Sequence, residues 1–355
     1  MIERDITEKA RAPWRKHPVI ALTGPRQSGK TTLAPVWILA LCALALLAAA
    51  PFLGIPLIHL REVLGAETGV NNVVFHQLRL PRTLAAFLVG SALAAGGCVF
   101  QAVFRNALAT PFTLGVSGGA SLGVALSPYI FGGLSMVGFA PNIGAFGGAM
   151  LSIALVYGLS RLRRGFATSD MLLAGVSVSF LFSSLVMLVQ YLGDPDKTLE
   201  LLTWMMGGVA LFGLRPLIPL AVPLALSLCY LLLRTQELDL LLLGEELAES
   251  RGLDTRRFRQ ALFLVVSLMV GTCVAVCGPV GFVGLMVPHA CRLAFGARHR
   301  TLLPASCLAG GMLLVACDIV ARTIIAPAEL PVGILTSLLG APFFLWLLHT
   351  GRTEL

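Results

Sequence analysis

Long apolar blocks alternate with short polar or Pro/Gly-rich breaks along most of the chain. Blocks such as 36–58 and 302–325 match the roughly 20 residues that a helix needs to cross a ~30 Å hydrocarbon layer. A helix is the expected form, because it satisfies its own backbone hydrogen bonds inside lipid. The pattern therefore predicts an all-α, polytopic membrane protein of about ten transmembrane helices. The candidate spans are 35–58, 83–104, 112–127, 138–160, 169–192, 215–233, 258–277, 281–296, 302–325 and 331–349.

Glycines recur inside these spans at short, regular spacings. Small residues let helix backbones approach closely in lipid, where apolar burial supplies little driving force between helices. We therefore interpret the glycines as helix-packing positions. The patterns are Gly115-x-x-Gly118-Gly119, Gly144-x-x-Gly147-Gly148 and Gly278-x-x-Gly281-x-x-Gly284. The apolar stretch 201–213 is shorter than a span, and we expect it to form a short re-entrant or interfacial helix.

Composition excludes an ordinary soluble domain, because 57% of the residues are hydrophobic, only 12% are charged and the mean hydropathy is +0.86. The net charge of +8 could suggest nucleic-acid binding. The basic residues, however, lie at the ends of apolar blocks and form no single basic face. Their excess on alternate connections, such as 161–164 and 251–259, follows the positive-inside rule. We predict cytoplasmic N- and C-termini, a lipid environment and no nucleic-acid partner.

Ionisable residues are scarce within the predicted spans, and Asp318 is the clearest exception. Arg322 follows it at i,i+4 on the same helix, which predicts a local ion pair. A transporter coupled to an ion gradient would need titratable side chains deep in several helices. The eight cysteines form no Cys-x-x-Cys pair and lie in or beside apolar blocks, so we interpret them as packing residues and expect no metal site.

The segment 236–259 is a long, polar, amphipathic connection between predicted spans. Glu245 and Glu246 would occupy the first turn of a short helix, where acidic side chains are favourable, and Gly252 stands where a C-terminal cap would. The segment is therefore predicted to contain a short helix. Two interpretations stay open: a soluble partner docks there, or the segment is a solvated connector.

Six blocks of the sequence, in the same order, resemble the FecCD-type permeases of ABC importers. The fifth reads Gly-Pro-Val-Gly-Phe-Val-Gly-Leu-Met-Val-Pro-His, and jointly the blocks are highly specific. They spread over about 35–350, which we interpret as the transmembrane permease domain. The blocks are Leu78–Leu84, Gln101–Ala109, Leu114–Ala120, Leu243–Gly252, Gly278–His289, and Glu329–Gly333 followed by Gly340–Phe344.

The resemblance implies a vitamin B12 permease-like fold in the bacterial inner membrane and a transport subunit that is not an enzyme. Such permeases pair with a second permease copy, here as an expected homodimer. They sit on two cytoplasmic ABC ATPase subunits, which hold the ATP and magnesium. A periplasmic or lipid-anchored binding protein delivers an iron-siderophore, haem or cobalamin-type chelate. No cofactor is expected on this chain itself.

The resemblance also implies roles for individual positions. The family's coupling helix, which enters a groove on the ATPase, matches residues 239–252. Arginines matching Arg79, Arg82 and Arg322 lie at the outer rim and meet acidic residues of the binding protein. Leu108 is a candidate for the inner gate. The coupling residues implied for this chain are Gly244, Glu245, Glu246, Leu247, Ala248 and Gly252.

The sequence departs from the family's pattern at Ala107, where a proline usually forms an Asn-Pro-Leu turn. This departure leaves the geometry beside Leu108 open. His289 belongs to a block shared by members with different cargoes, whereas His59 and His76 lie in the predicted outer loop and are better placed for haem transfer. These histidines do not decide which chelate is carried.

Residues 1–34 are expected to form a cytoplasmic leader that contains a Gly-x-x-x-x-Gly-Lys-Thr phosphate-loop pattern. Such a loop binds phosphates at the start of a helix packed on a parallel sheet. Pro35 and a membrane block follow at once, which leaves no room for that sheet. We interpret the leader as a fusion remnant or misassigned start with a non-functional loop. The residues of the pattern are Gly24, Gly29, Lys30 and Thr31.

The sequence therefore favours the permease subunit of an ABC importer, driven by ATP that a partner hydrolyses. An ion-coupled secondary transporter is the first alternative. The phosphate-loop pattern leaves a second alternative, a membrane-bound nucleotide hydrolase, which would bind nucleotide without any other subunit.

Overall fold

A computed structural model describes residues 30–55, 58–59, 63, 69–131, 139–162, 168–209 and 211–350. Gly24 and Gly29 of the phosphate-loop pattern lie outside the described residues. Lys30 and Thr31 begin the first helix, but their side chains also lie outside what is described. The assignment of a non-functional phosphate loop therefore stays a prediction.

The described residues form thirteen α-helices and no β-strand, which confirms the predicted all-α fold. The second helix contains a π-helical segment, Phe75–Arg79. The helices are α1 (Lys30–Ala49), α2 (Val70–Phe104), α3 (Val116–Phe131), α4 (Phe139–Leu162), α5 (Thr168–Leu192), α6 (Pro195–Met205), α7 (Leu217–Leu233), α8 (Thr235–Leu243), α9 (Glu245–Ser250), α10 (Thr255–Cys277), α11 (Val283–Phe295), α12 (His299–Thr323) and α13 (Val332–His349).

The apolar helices among the described residues are roughly consistent with the predicted number of about ten crossings. Six are long and apolar enough by themselves, and α7 passes the same test together with α8 as a pair bent by 56°. Three shorter apolar helical stretches, Val36–Phe52, Val116–Phe131 and Val283–Phe295, would bring the number to ten. We treat α7 alone as the crossing, because α8 turns away from it and carries Glu237 and Asp239.

Two ends of the bundle are distinguished by their residues. The loop end carries α8 and α9, beside the end of α2 at Phe104 and the start of α12 at His299. The arginine end carries Arg82, Arg322 and Glu329. α2 and α12 each run from one end to the other.

α2 begins at Val70, well before the span predicted at 83–104. The polar residues of its first turns hid the helix from a hydropathy pattern, yet they fit a helix end that leaves the hydrocarbon layer. His76 Nδ1, for example, lies 3.1 Å from the carbonyl oxygen of Asn72, one turn earlier. His76, Arg79 and Arg82 are therefore helical, and the expected loop placement was wrong for His76.

α6 is the short helix expected near 201–213 as re-entrant or interfacial, although it begins earlier, at Pro195. We call it the re-entrant helix because the chain returns from it to the end of the bundle at which it began. Its 11 residues span only about 16 Å, too little to cross the membrane. Beyond Gly207, which has a φ of +72°, the chain runs back to the arginine end. There the backbone N–H of Gly213 donates to the carbonyl oxygen of Gln77 at 2.7 Å.

Glycines allow the closest helix contacts in the bundle. A Cβ built on Gly90 of α2 would overlap the carbonyl oxygen of Gly310 on α12, and one on Gly97 would overlap that of Gly284 on α11. α3 and α4 meet in the same manner, with Gly119 opposite Gly148 and Gly123 opposite Gly144. The interpretation of the glycines as packing positions is confirmed at Gly119, Gly144, Gly148 and Gly284.

Gly97→Val is expected to destabilise the protein, because the new side chain forces the α2 and α11 backbones apart. Overpacking of this kind costs about 1–3 kcal/mol, which should lower the Tm of the detergent-purified protein. Gly158→Ala is the matched control, since a Cβ there meets nothing within 4 Å. An unchanged Tm for Gly97→Val would contradict the described contact.

Candidate functional site

The helix at the centre of the loop end, α9, is short and closed at its C-terminus by a glycine. Gly252 has a φ of +83°, where a side chain would be strained. Its backbone N–H donates to the carbonyl oxygen of Glu249 at 2.8 Å, and that of Leu253 donates to Ala248 at 3.1 Å. This pair of bonds is the Schellman arrangement. The predicted helix and its glycine cap are therefore present.

Two side-chain contacts tie α9 to the following helix, α10. Glu245 forms an ion pair with Arg259, and the hydroxyl of Thr255 donates to the carboxylate of Glu249 at 2.7 Å. α9 is consequently held against the bundle as a rigid projection. A solvated connector would not require these contacts.

The exposed face of α9 differs from the expectation at one position. Leu247 is 56% exposed and can meet a partner, but Ala248 is fully buried against the bundle. The expectation that Ala248 lies on a docking face was wrong, because the helix turns that position towards the protein core. Glu246 is exposed on the same short helix as Leu247.

α8 connects α9 to both α2 and α12. Asp239 Oδ1 lies 2.7 Å from His299 Nδ1 and accepts the backbone N–H of His299 at 2.9 Å. Arg105 Nη2 donates to the carbonyl oxygen of Leu241 at 2.8 Å. Burial alone would raise the pKa of the Asp239 carboxyl, but the hydrogen bonds from His299 outweigh this effect and lower the pKa below its ordinary value.

The turn after α2 positions the gate candidate at the loop end. Arg105 adopts a left-handed conformation with a φ of +46°, which ends the helix. The side-chain oxygen of Asn106 then accepts the backbone N–H of Leu108 at 2.9 Å. The turn forms with Ala107 in place of proline, and Leu108 is 60% exposed.

The arginine end contains a cluster centred on Asp318, whose side chain is only 1% exposed. Arg322 Nε lies 3.1 Å from one oxygen of Asp318, which confirms the predicted i,i+4 pair. Arg82 Nε lies 2.6 Å from the other oxygen, and Arg82 Nη1 lies 2.6 Å from exposed Glu329. Sequence reasoning placed Arg82 and Arg322 at the same rim but missed both carboxylate partners of Arg82.

Arg79 lies at the same end but faces a different part of it. Its side chain is buried, and Nη1 lies 3.5 Å from the carbonyl oxygens of Pro51 and Phe52, after α1. The three predicted rim arginines are therefore near one end yet largely covered by the chain itself. Their role in docking stays a prediction.

An open cavity of about 440 Å³ lies beside the tip of the re-entrant helix. Met205 and Met206 form one side of it, and the first turns of α13 form another. Its lining is mostly apolar, with the hydroxyl of Ser337 as a polar side chain. The lining residues are Met205, Met206, Pro279, Gly281, Gly333, Ile334, Ser337 and Leu338.

No three His, Cys, Asp or Glu side chains converge as a metal site among the described residues. His289 is buried and meets the ring of Phe343 edge-on, with the centroids 6.3 Å apart. All eight cysteines are free, and five of them are buried. His289 is therefore placed as a core residue.

Known transport permeases are similar to about four fifths of the chain. A sequence model of the FecCD transport family matches residues 37–350. The hemin transport system permease protein HmuU of Yersinia pestis is 40% identical over 295 residues, covering 81% of this chain and 87% of that protein. The vitamin B12 import system permease protein BtuC of Klebsiella pneumoniae is 41% identical over 276 residues, covering 78% and 82%.

Solved structures show the same fold. A metal-chelate type ABC transporter in an inward-facing conformation superposes with a TM-score of 0.80 at 32% identity, covering 89% of this chain and 99% of that one. PsaBC from Streptococcus pneumoniae, at a TM-score of 0.50 and 17% identity, is similar in fold alone.

Removal of the Asp318 carboxylate should cost far more stability than removal of Glu329. Asp318→Ala leaves two largely buried guanidinium groups without their shared partner, which should lower the free energy of unfolding by about 3–5 kcal/mol. Glu329, at 55% exposure, should contribute about 0–1 kcal/mol. Denaturant unfolding in detergent compares the two variants, and equal losses would contradict a cluster held by Asp318.

Proposed function

The chain belongs to the FecCD transport family as the membrane-spanning permease subunit of an ABC importer, and we propose that two copies carry an iron-siderophore, haem or cobalamin-type chelate across the inner membrane. ATP is hydrolysed on a separate ATPase subunit. The proposal rests chiefly on the family match over residues 37–350. The similar permeases are named for hemin and vitamin B12, and these cargoes favour a bulky metal chelate.

We assign the loop end to the cytoplasm and the arginine end to the periplasm. The arginines on the loop-end connections, such as Arg251, Arg256 and Arg257, support this orientation by the positive-inside rule. The projecting helix α9 then faces the ATPase. Glu246 and Leu247 are its exposed contacts, Gly244 and Gly252 set its ends, and buried Ala248 fixes it to the bundle.

Leu247→Asp should uncouple the transporter, because it places a charge on the exposed apolar contact of α9 without disturbing the buried side. In proteoliposomes with the ATPase subunit, we expect binding-protein-stimulated ATP hydrolysis and uptake to fall about tenfold. A tenfold loss corresponds to roughly 1.4 kcal/mol of coupling free energy between the permease and the ATPase. Arg257→Ala is the control, since its side chain is 87% exposed beyond α9. Full stimulated hydrolysis in Leu247→Asp would place the coupling site elsewhere.

The cavity beside Met205 and Met206 is proposed as one wall of the cargo path. Its volume of about 440 Å³ is at the lower end of small-molecule sites, and a second copy facing it would enlarge it to suit a bulky chelate. The exposed thioethers suit an apolar macrocycle, because methionine adapts to irregular surfaces. At the opposite end of the path, Leu108 is proposed as part of the inner gate.

Arg79, Arg82 and Arg322 are proposed to attract an acidic binding protein. Three arginines against the two carboxylates of Asp318 and Glu329 leave this group of side chains with an excess of one positive charge. Because the arginines are largely covered, we propose that they attract the binding protein through the electrostatic field of the cluster and not by direct contact. Rim charges chiefly affect the association rate and its salt dependence.

Glu329→Gln should accelerate docking of the binding protein, because it removes an exposed negative charge and releases one side of Arg82. Stopped-flow association at several ionic strengths should show a faster rate and a steeper salt dependence. Asp196→Asn removes an exposed acid elsewhere at the same end and serves as the control. Equal effects of both variants would contradict a specific role for the Arg82 cluster.

Liposome assays with and without the ATPase subunit test the proposed function as a whole. Uptake should require the ATPase subunit, ATP and the binding protein. Uptake driven by an ion gradient alone would favour a secondary transporter. Nucleotide binding by the purified chain would instead give the leader, residues 1–34, an active phosphate loop, whereas we propose that it has none.

A further inference from the structure

α12 lacks a cap from its own sequence and receives one from the loop end. It begins at His299, and the preceding residue, Arg298, makes no side-chain capping bond. Asp239 of α8 supplies the missing acceptor, with 2.9 Å between its Oδ1 and the backbone nitrogen of His299. A carboxylate at this position also suits the positive end of the helix dipole.

The same carboxylate oxygen fixes the His299 ring. Nδ1 lies 2.7 Å from Asp239 Oδ1, and the ring is fully buried. Nε2 of this ring has no hydrogen-bond partner among the described residues. Asp239 is therefore the polar contact that orients the ring and the first turn of α12 together.

A second bond holds α8 to α2. Arg105, which caps the C-terminus of α2, donates from Nη2 to the carbonyl oxygen of Leu241 at 2.8 Å. Asp239 and Leu241 lie only two residues apart. α8 is therefore attached at one place to the start of α12 and to the end of α2.

α2 and α12 are interlocked along their length. Gly90 and Gly310 face each other with no space for a Cβ, and Arg82 of α2 pairs with Asp318 of α12 at the arginine end. Two helices in such backbone contact cannot slide past each other without opening a void. A displacement of α8 therefore reaches both ends of the pair.

α8 is also joined directly to α9. Gly244 alone separates the two helices, with a φ of +125°. A push on α9 is consequently delivered to α8 with little intervening chain to absorb it.

We propose that Asp239 and Arg105 are positioning residues that pass the motion of α9 to the α2–α12 pair, and thereby change binding-protein docking at the opposite end of the bundle. This inference rests on the proposed function, because it takes α9 as the ATPase contact. Neither residue lines the cavity beside Met205 and Met206. Their contribution is to keep the loop end and the arginine end mechanically connected.

The test measures binding-protein affinity of the reconstituted complex twice, without nucleotide and with vanadate-trapped ADP. The ratio of the two dissociation constants reports the coupling between the ends, which is reciprocal and typically on the order of fivefold or more. Asp239→Ala and Arg105→Ala should move this ratio towards one while the nucleotide-free affinity stays near that of the parent. Uptake per ATP hydrolysed should fall in parallel.

Glu237→Gln is the matched control, because Glu237 lies on the same helix and forms an exposed pair with Arg234 at 2.8 Å. It should leave the ratio unchanged. Asp239→Asn retains an oxygen that can accept the His299 N–H, and it should preserve part of the coupling even where Asp239→Ala assembles poorly.

Distinct results separate this inference from the proposed function. If the parental complex shows a nucleotide-dependent affinity for the binding protein and the variants keep the full ratio of dissociation constants, the positioning role alone is overturned. If the parental complex binds the binding protein equally well with and without trapped nucleotide, both the proposed function and the positioning role are overturned. An Asp239→Ala or Arg105→Ala variant that assembles normally, keeps its nucleotide-free affinity and loses the ratio supports the inference. Asp239→Asn should then show an intermediate ratio.

Discussion

Backbone contact at glycine holds this bundle together, because helices in lipid gain little from apolar burial alone. Gly90, Gly97 and their partners on α12 and α11 bring carbonyl oxygens so near that a single Cβ would overlap them. Contacts this close exist in only one register. The charged groups at both ends of α2 and α12 therefore meet their partners only when these glycines are in place.

The buried carboxylate of Asp318 is tolerated because the glycine contacts fix how α2 lies against α12. An isolated carboxylate at this depth would be costly. Arg322 approaches it from the same helix, but Arg82 reaches it only because α2 lies against α12 in this register. The resulting cluster joins two helices that lie far apart in the sequence, and its outermost member, Glu329, is 55% exposed.

Local patterns predicted most of the fold, and tertiary contacts account for the rest. Apolar block length located the apolar helices of the bundle. The i,i+4 spacing located the Asp318–Arg322 pair. Hydropathy missed the first turns of α2, whose polar residues belong to a helix end outside the hydrocarbon layer. The pairing of Arg82 with Asp318, 236 residues away, and the burial of Ala248 depend on how helices dock, which periodicity does not reveal.

The irregular backbone beside the cavity is possible because its polar groups form hydrogen bonds within the protein. Non-helical chain at membrane depth is tolerated only where its polar groups find partners or line a cavity. The N–H of Gly208 donates to the carbonyl oxygen of Cys277 at 2.8 Å, and that of Gly333 donates to Gly207 at 3.2 Å. The re-entrant tip, the end of α10 and the start of α13 thus satisfy one another. The backbone N–H groups of Gly208 and Gly333 are therefore used within the protein, and the neighbouring cavity keeps the mostly apolar lining that its side chains provide.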